Sequence, residues 1–201
     1  MGFAADLPRI QPRVPPEAGL DDALLFAICQ ANRDYRIERN AQGDIQIMPP
    51  TGGVTGRRNS DLNADLNLWA RRDGRGVAFD SSTGFVLPNG ALVSPDCSWV
   101  RCERLAPLSD DEKSRFLPVA PDFVIELASP TDGRTNLVAK MREYQENGVR
   151  LGWLILPTQR QVYRFSGRQP EEVINEPVTM TDEQVLPGFS LNLAGLWGPG
   201  F

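Results

Sequence analysis

The protein is a chain of 201 residues with a formal net charge of −5 and no histidine. The missing histidine excludes Ser-His-Asp and Cys-His nucleophile pairs and helix-borne His zinc sites, so any catalysis has to use carboxylates, lysine, tyrosine or a metal. The negative charge argues against a protein that coats nucleic acid, although it does not exclude a nuclease with basic groups at the rim of its site.

Length and hydrophobicity predict one domain. Hydrophobic residues make up 41% of the chain, which is enough for a single sizeable core. No segment approaches the roughly 18 apolar residues of a membrane span, and residues 1–6 lack the features of a signal peptide, so we expect a cytoplasmic protein. We predict a proline-rich, extended arm at residues 1–20 and one domain at residues 21–201.

Hydrophobic periodicity and turn residues divide this domain into helices and strands. In chain order, the predicted elements are a helix from Asp21 or Asp22 to about residue 32, a hairpin at 35–48, a helix at 55–72, extended segments at 76–80, 85–87, 91–100 and 121–128, a short helix beginning near 109, a helix at 135–147, strands at 151–156 and 161–165, and C-terminal edge strands around 173–174 and 186–189. The segments 121–128 and 151–156 flank a helix of about a dozen residues, so we predict parallel neighbours joined by a right-handed crossover.

One carboxylate lies in the most strand-like apolar run of the chain. Glu126 is surrounded by Val, Ile, Leu and Phe, and burying an unpaired carboxylate costs several kcal/mol, so such a group is normally paired, neutralised or bound to a metal. A second acid, Asp96, follows a proline, and Lys140 lies on the helix after Glu126. Two acids and an amine predict metal-assisted phosphodiester chemistry, with Mg²⁺ or Mn²⁺ favoured over zinc.

Lys140 borders the apolar stripe of its predicted helix, which consists of Leu137, Met141 and Tyr144. Because this helix is expected to pack on the sheet that contains Glu126, the ammonium could reach the carboxylates. The alternative is that the lysine stem covers the core while the ammonium extends to water.

The motifs around these residues resemble the PD-(D/E)XK nuclease superfamily, and in particular its Uma-two family of restriction endonucleases. The resemblance extends from about residue 20 to the C-terminus. The motifs that carry it are PPTGG at 49–53, FDSSTGF at 79–85, SPD at 94–96, PDFVIELASP at 121–130, KMREY at 140–144, GWL at 152–154 and LPGF at 186–189.

The resemblance implies an α/β fold, with a restriction-endonuclease-like αβββαβ core in which helices flank a mixed β-sheet. The N-terminal helix and hairpin and the C-terminal edge strands are additions to this core. It also implies a site where Asp96 and Glu126 meet, a nucleic acid partner with DNA favoured, and a homodimer. Two features depart from the family pattern: the usual lysine position, two residues after the acid, is Ala128, and the histidine common near Arg58 and Asn59 is absent.

The mechanism that we expect follows from the charges. Mg²⁺ held by Asp96 and Glu126 would keep both acids ionised and acidify a bound water, while Lys140 would orient that water or stabilise transition-state charge. The backbone carbonyl of Leu127 is a further candidate ligand.

Other charged residues are weaker candidates. Glu38 and Asp80 lie on or beside predicted strands and are candidates for outer-shell carboxylates, although a solvated acid at a strand end is the favoured interpretation. Arginines bracket the predicted helix at 55–72, either as a basic rim for nucleic acid or, as we favour, as charged ends of a solvated helix. These arginines are Arg57, Arg58, Arg71, Arg72 and Arg75.

Two alternative functions stay open at this point. One is a catalytically silent protein that uses the nuclease fold for oligomerisation or partner binding. The other is a metal-dependent hydrolase that acts on a smaller phosphodiester.

Overall fold

A six-stranded mixed sheet forms the centre of the computed structural model, which describes residues 19–167 and 169–200. The predicted arm at residues 1–20 lies outside the described residues, except for Gly19 and Leu20. Within the described ranges, no helix is long and apolar enough to cross a membrane.

The four predicted helices are present, and the structure adds a short helix at Cys102–Leu105 and a final 3-10 helix that were not predicted. The helices are α1 (Asp22–Ala31), α2 (Gly53–Asp73), α3 (Cys102–Leu105), α4 (Asp110–Lys113) and α5 (Arg134–Glu146), with a final 3-10 helix at Ala194–Leu196. Asp21 caps α1 by accepting a hydrogen bond from the Leu24 amide, and Ser109 begins α4 with a capping box.

The strands form three sheets. They are β1 (Arg36–Arg39), β2 (Ile45–Met48), β3 (Gly76–Asp80), β4 (Phe85–Val86), β5 (Leu92–Val93), β6 (Cys97–Arg101), β7 (Phe123–Leu127), β8 (Leu151–Leu156), β9 (Gln161–Ser166), β10 (Glu172–Asn175), β11 (Thr179–Asp182) and β12 (Leu186–Asn192). The six-stranded sheet has the order β10-β9-β8-β7-β6-β3, the four-stranded sheet has the order β2-β1-β5-β4, and β11 pairs with β12.

The predicted fold class is confirmed by the central sheet. Strands β3, β6 and β7 form an antiparallel meander, after which α5 crosses over and β8 pairs with β7 in parallel. With α2 in front of the meander, the elements α2, β3, β6, β7, α5 and β8 make the αβββαβ core.

The strand β7 separates two apolar layers. Its side chains alternate, so Phe123, Ile125 and Leu127 join the layer that contains residues of α2, whereas Val124 joins the layer that contains residues of α5. We call these the α2-side layer and the α5-side layer. Glu126 belongs to the same face of β7 as Val124, and it is therefore directed to the α5 side.

The prediction that residues 91–100 form one extended element is wrong, because they form two separate strands. The chain leaves the four-stranded sheet after β5, turns at Pro95 and enters the six-stranded sheet as β6. A proline has no amide hydrogen to donate to a ladder, which explains a break there. Because β5 pairs with β1 as well, this change of sheet brings the β1–β2 hairpin next to the start of β6.

The C-terminal strands lie at sheet edges, as predicted, but they belong to two different sheets. Strand β10 lies at the edge of the six-stranded sheet, but residues 186–189 belong to β12, which pairs with β11 in a separate sheet. This sheet covers the α2-side layer, where the Phe189 ring stacks on Trp153 with centroids 6.0 Å apart. Leu186, Phe189 and Leu191 of β12 are buried, and this explains the covering role, since burying each contributes about 1.5–3 kcal/mol.

Candidate active site

Five charged side chains meet near the end of β7, and we call them the charged cluster. Arg36 and Glu38 come from β1, Asp96 precedes β6, Glu126 lies on β7 and Lys140 lies on α5. The three carboxylates are buried. The structure thus brings together Asp96, Glu126 and Lys140, and it adds two residues from outside the αβββαβ core.

Glu126 is held through one of its two oxygens. Its Oε1 accepts a hydrogen bond from the Tyr144 hydroxyl at 2.7 Å and lies 2.9 Å from Lys140 Nζ. Both donors come from one face of α5, because residues four apart in a helix are neighbours. Burial raises the pKa of Glu126; Lys140 opposes this rise, while Asp96 and Glu38 add to it.

Lys140 bridges two buried acids. Its Nζ lies 2.9 Å from Glu126 Oε1 and 3.2 Å from Glu38 Oε1, and its side chain is 18% exposed. The ammonium therefore does not extend freely to water. Burial alone would lower the pKa of Lys140, but Glu126 and Glu38 raise it above its usual range. In this environment Lys140 stays protonated at neutral pH, and it acts as a cation and hydrogen-bond donor rather than as a base.

Asp96 is fixed by the strand beside it and by α2. The ladder between β6 and β7 ends at the Cys97–Ile125 pair, and beyond it Asp96 Oδ2 accepts the Leu127 amide at 2.8 Å. Asn59 Nδ2 lies 3.4 Å from Asp96 Oδ1. Asn59 lies where the family resemblance led us to expect a histidine, and its amide contacts the acid directly.

Glu38 is buried, so its interpretation as a solvated strand-end acid is wrong. Its Oε1 accepts a hydrogen bond from the Ser94 amide at 3.0 Å in addition to its contact with Lys140. Burial opposes ionisation, but Lys140 and Arg36 lower the pKa of Glu38 below its usual value.

Asp80 lies outside the charged cluster. It is exposed at the end of β3, where its Oδ1 accepts hydrogen bonds from the Ser82 amide and hydroxyl at 2.9 and 2.6 Å. An outer-shell role for Asp80 stays a prediction.

Two members of the site were not identified from the sequence. Arg36 lies two residues before Glu38, so period-two alternation places both side chains on one face of β1 and could have indicated it. Tyr144 was assigned to the apolar stripe of α5, but a buried tyrosine hydroxyl usually needs a polar partner. That partner is Glu126.

Three of the five arginines around α2 are engaged in other contacts, and Arg71 and Arg72 are exposed. Arg57 donates to the Gly195 carbonyl at 2.7 Å, and Arg58 donates to the Gly198 carbonyl at 2.9 Å, so both anchor the C-terminal segment. Arg75 pairs with Asp73. These contacts support a structural role at the helix ends more than a basic rim.

The oxygen donors of the cluster fit a hard divalent cation. Lys140 and Tyr144 both contact Glu126 Oε1, and no other described residue donates a hydrogen bond to Oε2. Residues 19–167 and 169–200 contain no group of three or more Asp, Glu, Cys or His side chains arranged to hold a metal ion. Mg²⁺ in proteins is often held by one or two carboxylates and keeps several waters, so Asp96 and Glu126 are the residues that could hold it.

The fold and the site define the class as proteins with a restriction-endonuclease-like nuclease fold. The family model described as "Uma2: Putative restriction endonuclease" matches residues 22–194, and the chain belongs to this family. The fold is similar to that of the solved structure of "a putative nuclease belonging to DUF820 from Anabaena variabilis ATCC 29413". The TM-score is 0.69 at 21% sequence identity, over 82% of this chain and 91% of that chain. No match was found among curated proteins.

Proposed function

We propose that the protein is a metal-dependent endonuclease that hydrolyses phosphodiester bonds of nucleic acid, with Mg²⁺ or Mn²⁺ at Asp96 and Glu126. The observation that carries this proposal is the asymmetric environment of Glu126: Lys140 and Tyr144 fix its Oε1, while the described residues donate nothing to Oε2. A buried carboxylate with one oxygen left for a ligand is what a metal site requires.

The residues of the cluster would divide the work as follows. Asp96 and Glu126 would hold the cation, with the Leu127 carbonyl as a further ligand. A divalent ion bound there supplies Lewis-acid stabilisation of the phosphate and lowers the pKa of a water. Lys140 would donate hydrogen bonds and positive charge to the attacking water or to the developing charge on phosphate. Glu38 would keep Lys140 protonated and directed to Glu126.

The position of Lys140 also accounts for the departure at Ala128. Ala128 is half-buried and packs against the α5-side layer. The ammonium of Lys140 reaches Glu126 from α5 instead, at 2.9 Å. This distance supports Lys140 as the functional replacement for the lysine that the superfamily usually carries on the strand.

The proposed substrate is nucleic acid, with DNA favoured, and the proposed assembly is a homodimer, because two paired sites would allow both strands of a duplex to be cut in one complex. The cytoplasmic location stays a prediction.

The test is metal-dependent cleavage of a panel containing single-stranded, duplex and structured DNA and RNA, together with a small aryl phosphodiester. The wild-type protein should cleave nucleic acid with Mg²⁺ or Mn²⁺, and Asp96→Asn and Glu126→Gln should each remove the activity. Asp111→Asn is the matched control, because this acid is exposed, pairs with Arg115 at the surface and belongs to none of the predicted site residues. Folded wild-type protein that cleaves nothing with either metal would contradict the proposal, and cleavage of the aryl diester alone would indicate the smaller-substrate hydrolase.

A catalytically silent protein is the second candidate. It is favoured by one observation: Asp96 Oδ2 accepts the Leu127 amide where the ladder ends, so this acid also has a structural task. If Asp96→Asn lowers the free energy of unfolding while neither variant changes any activity or cellular phenotype, the fold serves oligomerisation or partner binding.

A further inference from the structure

Arg36 is the most exposed member of the charged cluster. Its side chain is 31% exposed, compared with 18% for Lys140 and no more than 10% for the three carboxylates. It is the first residue of β1 and therefore belongs to the hairpin that lies beside the αβββαβ core. A ligand that approaches the cluster from solvent would meet this guanidinium first.

The guanidinium is only partly satisfied within the chain. Its Nη1 donates to Asp96 Oδ1 at 3.2 Å, and its Nε lies 3.9 Å from Glu38 Oε1, which is too long for a hydrogen bond. Its Nη2 donates to the Met48 sulfur at 3.2 Å. A thioether is a weak acceptor, so a phosphate oxygen would replace it readily.

Asp96 keeps its orientation without Arg36. The Leu127 amide holds Oδ2 at 2.8 Å, and Asn59 approaches Oδ1 at 3.4 Å. Arg36 can therefore leave Asp96 without releasing the carboxylate from its place beside β7. The contribution of Arg36 to Asp96 is mainly charge.

The charges of the cluster change sign when a divalent cation is added. Three carboxylates against Arg36 and Lys140 leave one negative charge, which repels a phosphodiester. With a divalent cation on Asp96 and Glu126, the same groups carry one positive charge, and Asp96 no longer needs the guanidinium as its counter-ion. The fork of a guanidinium matches the oxygens of a phosphate.

We propose that Arg36 is a substrate-binding residue that exchanges partners: it neutralises Asp96 in the metal-free protein and binds a phosphate oxygen of the nucleic acid once Asp96 holds a divalent cation. This inference rests on the proposed nuclease function and names the group that contacts the substrate backbone.

The experiment compares Arg36→Met with Arg36→Lys and uses Arg33→Met as the control. Arg33 donates to Gln30 at the end of α1, and its loss removes the same charge away from the cluster. Mn²⁺ affinity of the substrate-free proteins is measured by electron paramagnetic resonance at pH 8. Affinity for a duplex is measured by fluorescence anisotropy with Ca²⁺ in place of Mg²⁺, and KM and kcat are measured with Mg²⁺.

Arg36→Met should bind Mn²⁺ about tenfold more tightly, because one competing positive charge is gone. It should bind the duplex about ten- to a hundredfold more weakly and raise KM to match, the range expected for one hydrogen bond to a charged group. The duplex affinity of Arg36→Met should also depend less steeply on salt concentration, by the amount expected for the loss of about one phosphate contact. Arg36→Lys keeps the positive charge but lacks the forked guanidinium, so its Mn²⁺ affinity should equal that of the wild type. Its duplex affinity should lie between those of the wild type and Arg36→Met.

If Arg36→Met and Arg33→Met have the same duplex affinity and the same KM, Arg36 does not bind the substrate. The proposed function would still stand in that case, provided that the wild-type protein cleaves nucleic acid. Mn²⁺ binding that Arg36→Met does not tighten would overturn the exchange of partners. A wild-type protein that cleaves no nucleic acid would instead contradict the proposed function and this inference with it.

Discussion

The two faces of β7 are equally buried but have opposite kinds of neighbours. On the α2 side, Phe123 packs edge-on against Trp153 with ring centroids 4.9 Å apart, and the surrounding layer is apolar. On the α5 side, Glu126 shares its face with Val124 and meets Lys140 and Tyr144. Five residues of one strand thus supply both a dense apolar core and a charged site.

This difference shows where the fold can tolerate a functional group. The α2-side layer is stabilised by close packing of apolar side chains, so removing side-chain atoms there creates a cavity. The α5 side near Glu126 is stabilised by pairing of opposite charges, so removing one charged side chain there leaves its partner buried and unpaired. The two faces should therefore respond differently to pH and to divalent cations.

The largest loss of stability is expected on the apolar face. Phe123→Ala removes a fully buried ring and should lower the free energy of unfolding by about 3–5 kcal/mol. Because no charge is involved, the loss should be the same at pH 5 and pH 8 and in the presence or absence of Mn²⁺. Urea unfolding measures it, with Val173→Ala on the exposed side of β10 as the control, where about 0.5 kcal/mol or less is expected. A loss that varied with pH would contradict the separation of the two faces.

Lys140→Met tests the charged face. Glu126 and Glu38 would lose their shared ammonium, and the free energy of unfolding should decrease by about 3 kcal/mol at pH 8 without metal. Unlike the loss in Phe123→Ala, this one should be partly recovered with Mn²⁺, which supplies the missing positive charge. On the proposed function, kcat should also fall about a hundredfold, the cost of one charge-stabilising contact.

The control for this variant is Arg142→Met, which removes an exposed cation from the same helix. Arg142 pairs with Glu171 at the surface, so its loss should change stability by no more than about 1 kcal/mol. Lys140→Met protein as stable as this control would show that the buried acids do not need the ammonium.

The sequence predicted the two faces of β7 because both depend on local periodicity. Alternation along the strand placed Glu126 opposite Phe123, and the helical stripe placed Lys140 beside the buried face of α5. The crossover between parallel strands then brought the lysine to the carboxylate. These steps need only neighbours in the chain and general rules of handedness.

The contribution of β1 could not be predicted in the same way. Arg36 and Glu38 reach the site because β1 pairs with β5, a contact between segments about fifty residues apart, and because the chain changes sheets at Pro95. Local patterns do not specify which distant strands pair. The sequence therefore indicated the acid pair, the lysine and, as an outer-shell candidate, Glu38, but it did not indicate Arg36 or the pairing of β1 with β5 that brings both residues to the site.

A smaller effect is expected at Tyr144. Tyr144→Phe removes one hydroxyl and one hydrogen bond to Glu126 Oε1, so the free energy of unfolding should decrease by about 1.5–2 kcal/mol. Losing a donor to the carboxylate raises the pKa of Glu126 further, so metal-dependent activity should move to higher pH. The pH profile of kcat/KM measures this shift. Tyr163→Phe, in the same layer, is the control, and equal pH profiles for the two variants would assign Tyr144 a purely packing role.

The smallest expected effect is in the pH dependence of stability, where two acids of one cluster should act with opposite sign. Burial raises the pKa of Glu126, so the folded protein binds its proton more tightly than the unfolded chain, and this residue makes stability increase as the pH falls toward the ordinary pKa of about 4.5. Lys140 and Arg36 lower the pKa of Glu38 against the effect of burial, so its contribution is lost only as the pH falls below about 4.5. Urea unfolding of the metal-free protein between pH 3 and 8 should show that Glu126→Gln removes the first dependence and Glu38→Gln the second. If the two variants show the same dependence of unfolding free energy on pH, the two acids titrate alike. Glu126 would then not differ from Glu38 in its need for a cation.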